Sequence, residues 1–120
     1  MSGRESPLKT TLRIDFPLGD RLGPGKAQLM ELIALTGSIS AAGRAMDMSY
    51  RRAWLLVDAL NHMFKDTVIE RQRGGSQGGG AVLTEFGQTL LERYRNMERR
   101  LENALKEDLD WLEAHRNKDQ

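Results

Sequence analysis

The residues of this chain best suited to chemistry stand together at positions 49–52: Ser49, Tyr50, Arg51 and Arg52. Two guanidinium groups beside two hydroxyls suit an anionic polymer. Arginine reads guanine through O6 and N7 with two hydrogen bonds, and hydroxyls bond to phosphate. Arginine in a first helical turn opposes the helix dipole, so the pair asks for an external anion. A second basic pair, Arg71 and Arg73, has the alternate spacing that places both on one face of a strand. Phosphate or minor-groove contact is open to them there; the competing reading is an edge strand charged against aggregation. Between that pair and Ala81 lies a run with five glycines, 74–80, with Ser76 and Gln77 at its tip. It lacks the Gly-Lys-Ser/Thr ending of a nucleotide loop and leads into a strand, so its polar tip is assigned to the same nucleic-acid surface.

Enzymatic chemistry finds no comparable support. His62 and His115 each stand alone, without a second histidine at metal-ligand spacing. No Ser/His/Asp set, carboxylate pair or cofactor loop can be assembled, so no enzyme, metal or cofactor is expected. The absence of cysteine excludes a disulfide framework and Cys-ligated zinc, and favours a cytoplasmic protein. Eighteen basic against seventeen acidic residues, net +1, exclude a polybasic arm or an acidic solvating tail. No apolar run nears the roughly 20 residues of a membrane span, and the first residues do not form a signal peptide.

The elements that position these residues follow from periodicity. Residues 1–8 read as a flexible arm. Leu12 to Phe16 alternates apolar and polar, as a short half-buried strand does, and Gly19 to Gly23 is a turn. Pro24 opens a helix carrying Ala27, Met30, Leu32, Ile33 and Leu35 and closed by Gly37. A short helix with small residues, Ala41, Ala42, Gly43 and Ala45, follows from Ser38 to Met46. Asp47 and Met48 break it, and Ser49 caps a longer helix with Ala53, Val57, Leu60 and Phe64 on one face, widened by Trp54 and Leu56. A short small-residue helix, a tight break and a longer amphipathic helix make a helix-turn-helix. Residues 67–73 and 81–83 are strands of a hairpin, the wing. The chain therefore divides into an arm at 1–8, a winged helix-turn-helix at 9–84, and a last helix with a tail at 85–120. The fold class is mainly α, with a short N-terminal strand, a two-stranded wing and a long C-terminal dimerisation helix.

Residues 24 to about 95 resemble the N-terminal winged helix-turn-helix domain of the ModE molybdate-responsive transcriptional regulators, a relative of the LysR-type DNA-binding domain. The resemblance rests on Leu35-Thr-Gly-Ser-Ile-Ser40, Met48-Ser-Tyr50, Ala53-Trp54, Val57-Asp-Ala-Leu-Asn61 and Gly78-Gly-Gly-Ala-Val-Leu-Thr84 followed by Gly87. It implies a regulator that binds double-stranded DNA. The family continues into an oxyanion-binding region, whereas this sequence stops at Gln120, and its wing commonly carries a lysine where Ser76 and Gln77 stand here. The expected function is thus a ModE-type regulator without that sensing region. The alternatives are a winged-helix protein–protein adaptor that does not bind DNA, and a small oxyanion sensor module.

The last helix, capped by Thr84 and expected from Glu85 to about Leu112, would be about 42 Å long. Its apolar positions are Leu90, Tyr94, Met97, Leu101, Leu105, Leu109 and Leu112, spaced near the helical period. A body this small cannot cover the distal half, so a homodimer through this face is expected. A dimer presents two recognition helices to the two half-sites of a pseudo-palindromic operator.

Overall fold

A computed structural model describes residues 8–72 and 80–119. Two short antiparallel strands, β1 (Ile14–Asp15) and β2 (Arg21–Leu22), open the chain, followed by α1 (Pro24–Thr36), α2 (Ile39–Ala45) and α3 (Tyr50–Met63). The wing strands β3 (Ile69–Arg71) and β4 (Ala81–Leu83) pair antiparallel, with Ile69 opposite Leu83 and Arg71 opposite Ala81. Two helices close the chain, α4 (Glu85–Ala104) and α5 (Lys106–His115). This is a mainly α winged helix-turn-helix. The turn expected at Gly19 to Gly23 also holds β2, which pairs with the expected first strand. No helix among the described residues is long and apolar enough to cross a membrane.

Local chemistry sets the boundaries. Pro24 sits at the start of α1, where a missing N–H costs nothing. The Ser38 hydroxyl accepts from the Ala41 N–H to cap α2, and the Ser49 hydroxyl accepts from the Arg52 N–H to cap α3. Between them Asp47 takes a φ of 58°, the left-handed conformation that a short polar side chain tolerates. The small residues of α2 let α3 approach closely: a Cβ on Gly43 would stand 3.0 Å from that of Ala53.

The core lies where α1, α2, α3 and the wing meet α4. Ala27, Leu29, Met30 and Ile33 enter it from α1, Ile39 and Ala42 from α2, and Ala53, Val57 and Leu60 from α3; Leu90 and Tyr94 close it from α4. Leu35, expected with the apolar face of α1, instead points to solvent. Phe64 meets Phe16 edge-on and Phe86 at a tilt, each at 5.5 Å between centroids, which joins the first hairpin to α3 and α4. The buried Tyr94 hydroxyl donates to the Leu12 carbonyl at 2.7 Å, so α4 also holds the N-terminal segment. Arg95 on α4 bonds Glu31 of α1 and Glu98.

The last helix departs from expectation in two ways. It is not continuous: Leu105 has ψ near 6° instead of a helical value, and α5 starts anew at Lys106. The hydrogen bonds still run through the bend, Leu105 N–H to the Leu101 carbonyl and Leu109 N–H to the Leu105 carbonyl. The bend is therefore a kink and not a loop; neither proline nor glycine stands at it to explain it. The far end of α5, through Trp111, Leu112 and His115, lines a shallow groove with Leu8. Further, Leu90 and Tyr94 are spent in the chain's own core, which removes them from the expected dimer face. Met97 packs partly on that core, Leu101, Leu105 and Leu109 are half-buried, and Trp111 and Leu112 stand exposed. The radius of gyration, 17.3 Å, exceeds the roughly 13–14 Å of a compact chain of this length.

One glycine is dictated by contact. A Cβ on Gly87 would fall 2.3 Å from the Val68 carbonyl oxygen, so α4 can pass this close to the wing only there. Gly25, inside α1, has nothing within 4 Å of the same added atom. Gly87→Ala should destabilise the fold by about 1–3 kcal/mol or more, whereas Gly25→Ala should stabilise it by roughly 0.5–1 kcal/mol through helix propensity. Thermal melts of the two variants check this; equal midpoints would refute the account of α4 packing.

Candidate nucleic-acid interface

The outward side of α3 follows from its inward side. With Ala53, Val57 and Leu60 buried, the helical period turns Arg51, Arg52, Leu55, Asp58 and His62 to solvent, and all five are exposed. Tyr50, in the first turn, is 51% exposed. Among the described residues, no ion pair engages Arg51 or Arg52; the chain's ion pairs join Arg13 to Asp15, Arg95 to Glu31 and Glu98, and residues of the α5 region. The first-turn arginines therefore stand at the positive end of α3 without an ion-pair partner among the described residues. Ser49 spends its oxygen as an acceptor for the Arg52 N–H, 3.0 Å, which leaves its proton to donate outward.

The basic surface extends beyond the expected residues. Lys26, near the start of α1, is held below the usual lysine range mainly by burial. Asp20 opposes that shift, and the charges of Arg21 and Arg52 add to it. Arg21, Lys26 and Arg52 thus share one electrostatic neighbourhood with Asp20, although 31 residues separate Arg21 from Arg52. Sequence reading missed Arg21 and Lys26 because nothing local marks them; only the packing of α1 against α3 brings them together.

Among the described residues, Asn61 and Trp54 join α3 to the wing. The Asn61 side chain accepts from the Val68 and Ile69 N–H groups at 2.8 and 3.0 Å and donates to the Ile69 carbonyl at 3.0 Å. One amide thus substitutes for a strand neighbour and holds β3 against the end of α3. Nearer the helix start, the Arg71 guanidinium lies 4.3 Å from the centroid of the Trp54 ring, and Tyr50 meets the same indole edge-on at 5.9 Å. Trp54, expected to widen the core-facing side of α3, is half-buried at this joint, and its buried Nε1–H has no hydrogen-bond partner among the described residues. Arg71 is therefore a stacked cation, its position set by an aromatic face. Thr84 completes the frame: its hydroxyl donates to the Thr67 carbonyl at 2.6 Å and accepts from Gly87 N–H at 2.9 Å.

The structure brings Tyr50 and Arg71 together at Trp54, while Arg51 and Arg52 stand exposed in the first turn of the same helix. Arg73, Ser76 and Gln77, assigned from the sequence to the same surface, lie outside the described residues. Among the described residues no group of three or more histidine, aspartate or glutamate side chains could hold a metal ion.

Residues 26–88 match the family described as bacterial regulatory helix-turn-helix protein, lysR family. The chain is 33% identical over 94 residues to the molybdenum transport protein ModE of Azotobacter vinelandii, covering 78% of this chain and 35% of that protein. It is 37% identical over 101 residues to the molybdenum-pterin-binding protein MopA of Rhodobacter capsulatus, covering 84% and 38%. With the DNA-binding transcriptional dual regulator ModE of Escherichia coli K12 it shares 41% identity over 71 residues, covering 59% and 27%. The aligned stretches thus span about a third of the length of these relatives.

Asn61 is predicted to hold the wing. Asn61→Ala orphans two buried N–H groups, at a cost of about 1–3 kcal/mol for each group left unsatisfied. Asn61→Asp keeps the accepting oxygen and should cost less. Urea unfolding of the three proteins checks the order; an alanine variant as stable as the parent would contradict it.

Proposed function

Because the chain belongs to the lysR family of bacterial regulatory helix-turn-helix proteins, we propose that it works as a ModE-type transcriptional regulator, binding duplex DNA sequence-specifically through α3 and the wing. The observation that carries the reading is the pair of exposed first-turn arginines of α3, Arg51 and Arg52, which make no ion pair among the described residues, with Arg52 in the electrostatic neighbourhood of Arg21 and Lys26. Arg71 flanks it from β3. The start of α3 enters the major groove, where Arg51 and Arg52 read base edges. Ser49 and Tyr50 donate to phosphate, and Arg71 with the wing residues Arg73, Ser76 and Gln77 follows the backbone alongside. The site of action is the cytoplasm, and no chemical step or cofactor is involved.

Binding is by a homodimer. Leu101, Leu105, Leu109 and Leu112 continue along α4 and α5 past the point where the body can cover them, with Met97 at the junction. Burying what remains exposed of these four leucines, each a part of the about 1.5–3 kcal/mol for a fully exposed side chain, favours pairing. The two-fold axis so created sets two α3 helices about 34–36 Å apart, the spacing of successive major grooves on one face of DNA. The exposed Trp111 and Leu112 also suit the competing adaptor reading, in which the same face docks another protein and duplex DNA is ignored.

Selection of duplexes from a random pool, followed by affinity measurement at several salt concentrations, separates the two. With six to ten phosphate contacts, binding should weaken by about 10³–10⁵ between 50 and 200 mM salt. Arg51→Ala and Arg52→Ala should leave the melting temperature nearly unchanged, and at least one should cost about 1–3 kcal/mol of operator binding with relaxed preference at one base pair. Normal operator affinity in both variants would refute α3 as the reader. Sedimentation at low micromolar concentration should give a dimer for the intact chain and a monomer for the Leu101→Asp, Leu105→Asp double variant. A monomeric parent, or a dimeric double variant, would sink the pairing.

A further inference from the structure

The outward strip of α3 holds one residue that the basic cluster does not account for. Leu55 is 55% exposed, one helical turn beyond Arg51 and three residues beyond Arg52. Its neighbours Trp54 and Leu56 pack partly against the core; Leu55 is not among the side chains that do. An exposed leucine on its own is ordinary. Leu55 differs in its place, the middle of a strip otherwise formed by Arg51, Asp58 and His62, at the centre of the face turned away from Ala53, Val57 and Leu60. Of that strip, Asp58 repels phosphate, and His62 ties its Nδ1 to the Asp58 carbonyl at 2.7 Å. Neither covers the leucine.

Leucine has no hydrogen bond to offer a base edge and no attraction to a phosphate. The apolar feature that the major groove presents is the C5-methyl of thymine, and apolar side chains are the groups that read it. The flanking arginines supply the attraction that brings an apolar side chain to a polyanion at all. We propose that Leu55 is a specificity-determining residue that packs on the C5-methyl of a thymine and selects an A·T pair next to the base pair read by Arg51 or Arg52. The inference rests on the proposed entry of α3 into the major groove. It assigns to α3 a second kind of readout: the arginines select by hydrogen bonding, and Leu55 by the presence of a methyl group.

The test uses the intact chain and a duplex it has selected from a random pool. Each thymine is replaced in turn by deoxyuridine, which removes the C5-methyl and leaves base pairing intact. One position in each half-site should respond, with Kd raised about fourfold, the ratio equivalent to about 0.8 kcal/mol for one buried methyl-sized group. Leu55→Ala should bind the thymine and uracil forms at that position equally well, with an unchanged melting temperature. A parent indifferent to every replacement, or a Leu55→Ala variant that keeps the full thymine-to-uracil ratio, overturns the assignment of Leu55 alone. Arg51→Ala and Arg52→Ala, measured on the same duplex, monitor the underlying reading. If both bind normally, or if the chain selects no duplex, entry of α3 into the groove falls and the role of Leu55 with it.

Discussion

The burial of Ala53, Val57 and Leu60 fixes the rotation of α3 about its axis, and with it the direction of Arg51, Arg52 and Leu55. A helix has one rotational setting that satisfies a core, and each residue advances the next by about 100°. The small side chains of α2 make that setting close-packed, since Gly43 leaves just enough room for Ala53. The charged face is thus a consequence of the apolar one. Change the packing, and the surface offered to a partner rotates away.

The other elements serve to keep that face in register with the wing. Asn61 holds β3 with three hydrogen bonds, Thr84 and Gly87 set α4 against Thr67 and Val68 just before that strand, and Arg71 reaches back to lie over Trp54. Each contact is modest, on the order of 1 kcal/mol for a net hydrogen bond or a partly exposed cation–π pair. Their value lies in geometry: two basic elements from separate parts of the chain are held at a fixed spacing before any ligand arrives, so less ordering remains to be done on binding.

Much of this was legible in the sequence. Pro24, Ser49 and Thr84 announced three helix starts, and the steps between Ala53, Val57 and Leu60 announced the buried side of α3, because end signals and periodicity are local. What depended on distant contacts was not. Arg21 and Lys26 join the basic surface only through the packing of α1 on α3, and Asn61 takes its role from backbone seven and eight residues away. Trp54, read as core from its place on the helix, does pack partly on the core, and contact with Arg71 of the wing makes it a joint as well. The apolar period of the last helix ran unbroken past Leu105, so the pattern gave no warning of the kink, nor that Leu90 and Tyr94 would be taken up by the body.

The central claim, that the outward face of α3 meets duplex DNA, is tested most directly by following backbone amide resonances of the whole chain as a short duplex is added at low salt. The account predicts shifts concentrated at residues 49–55, at Arg71 and at Arg21 and Lys26, with Leu101 to Leu112 unmoved. Shifts confined to α4 and α5, or none at α3 with duplex in excess, would contradict it.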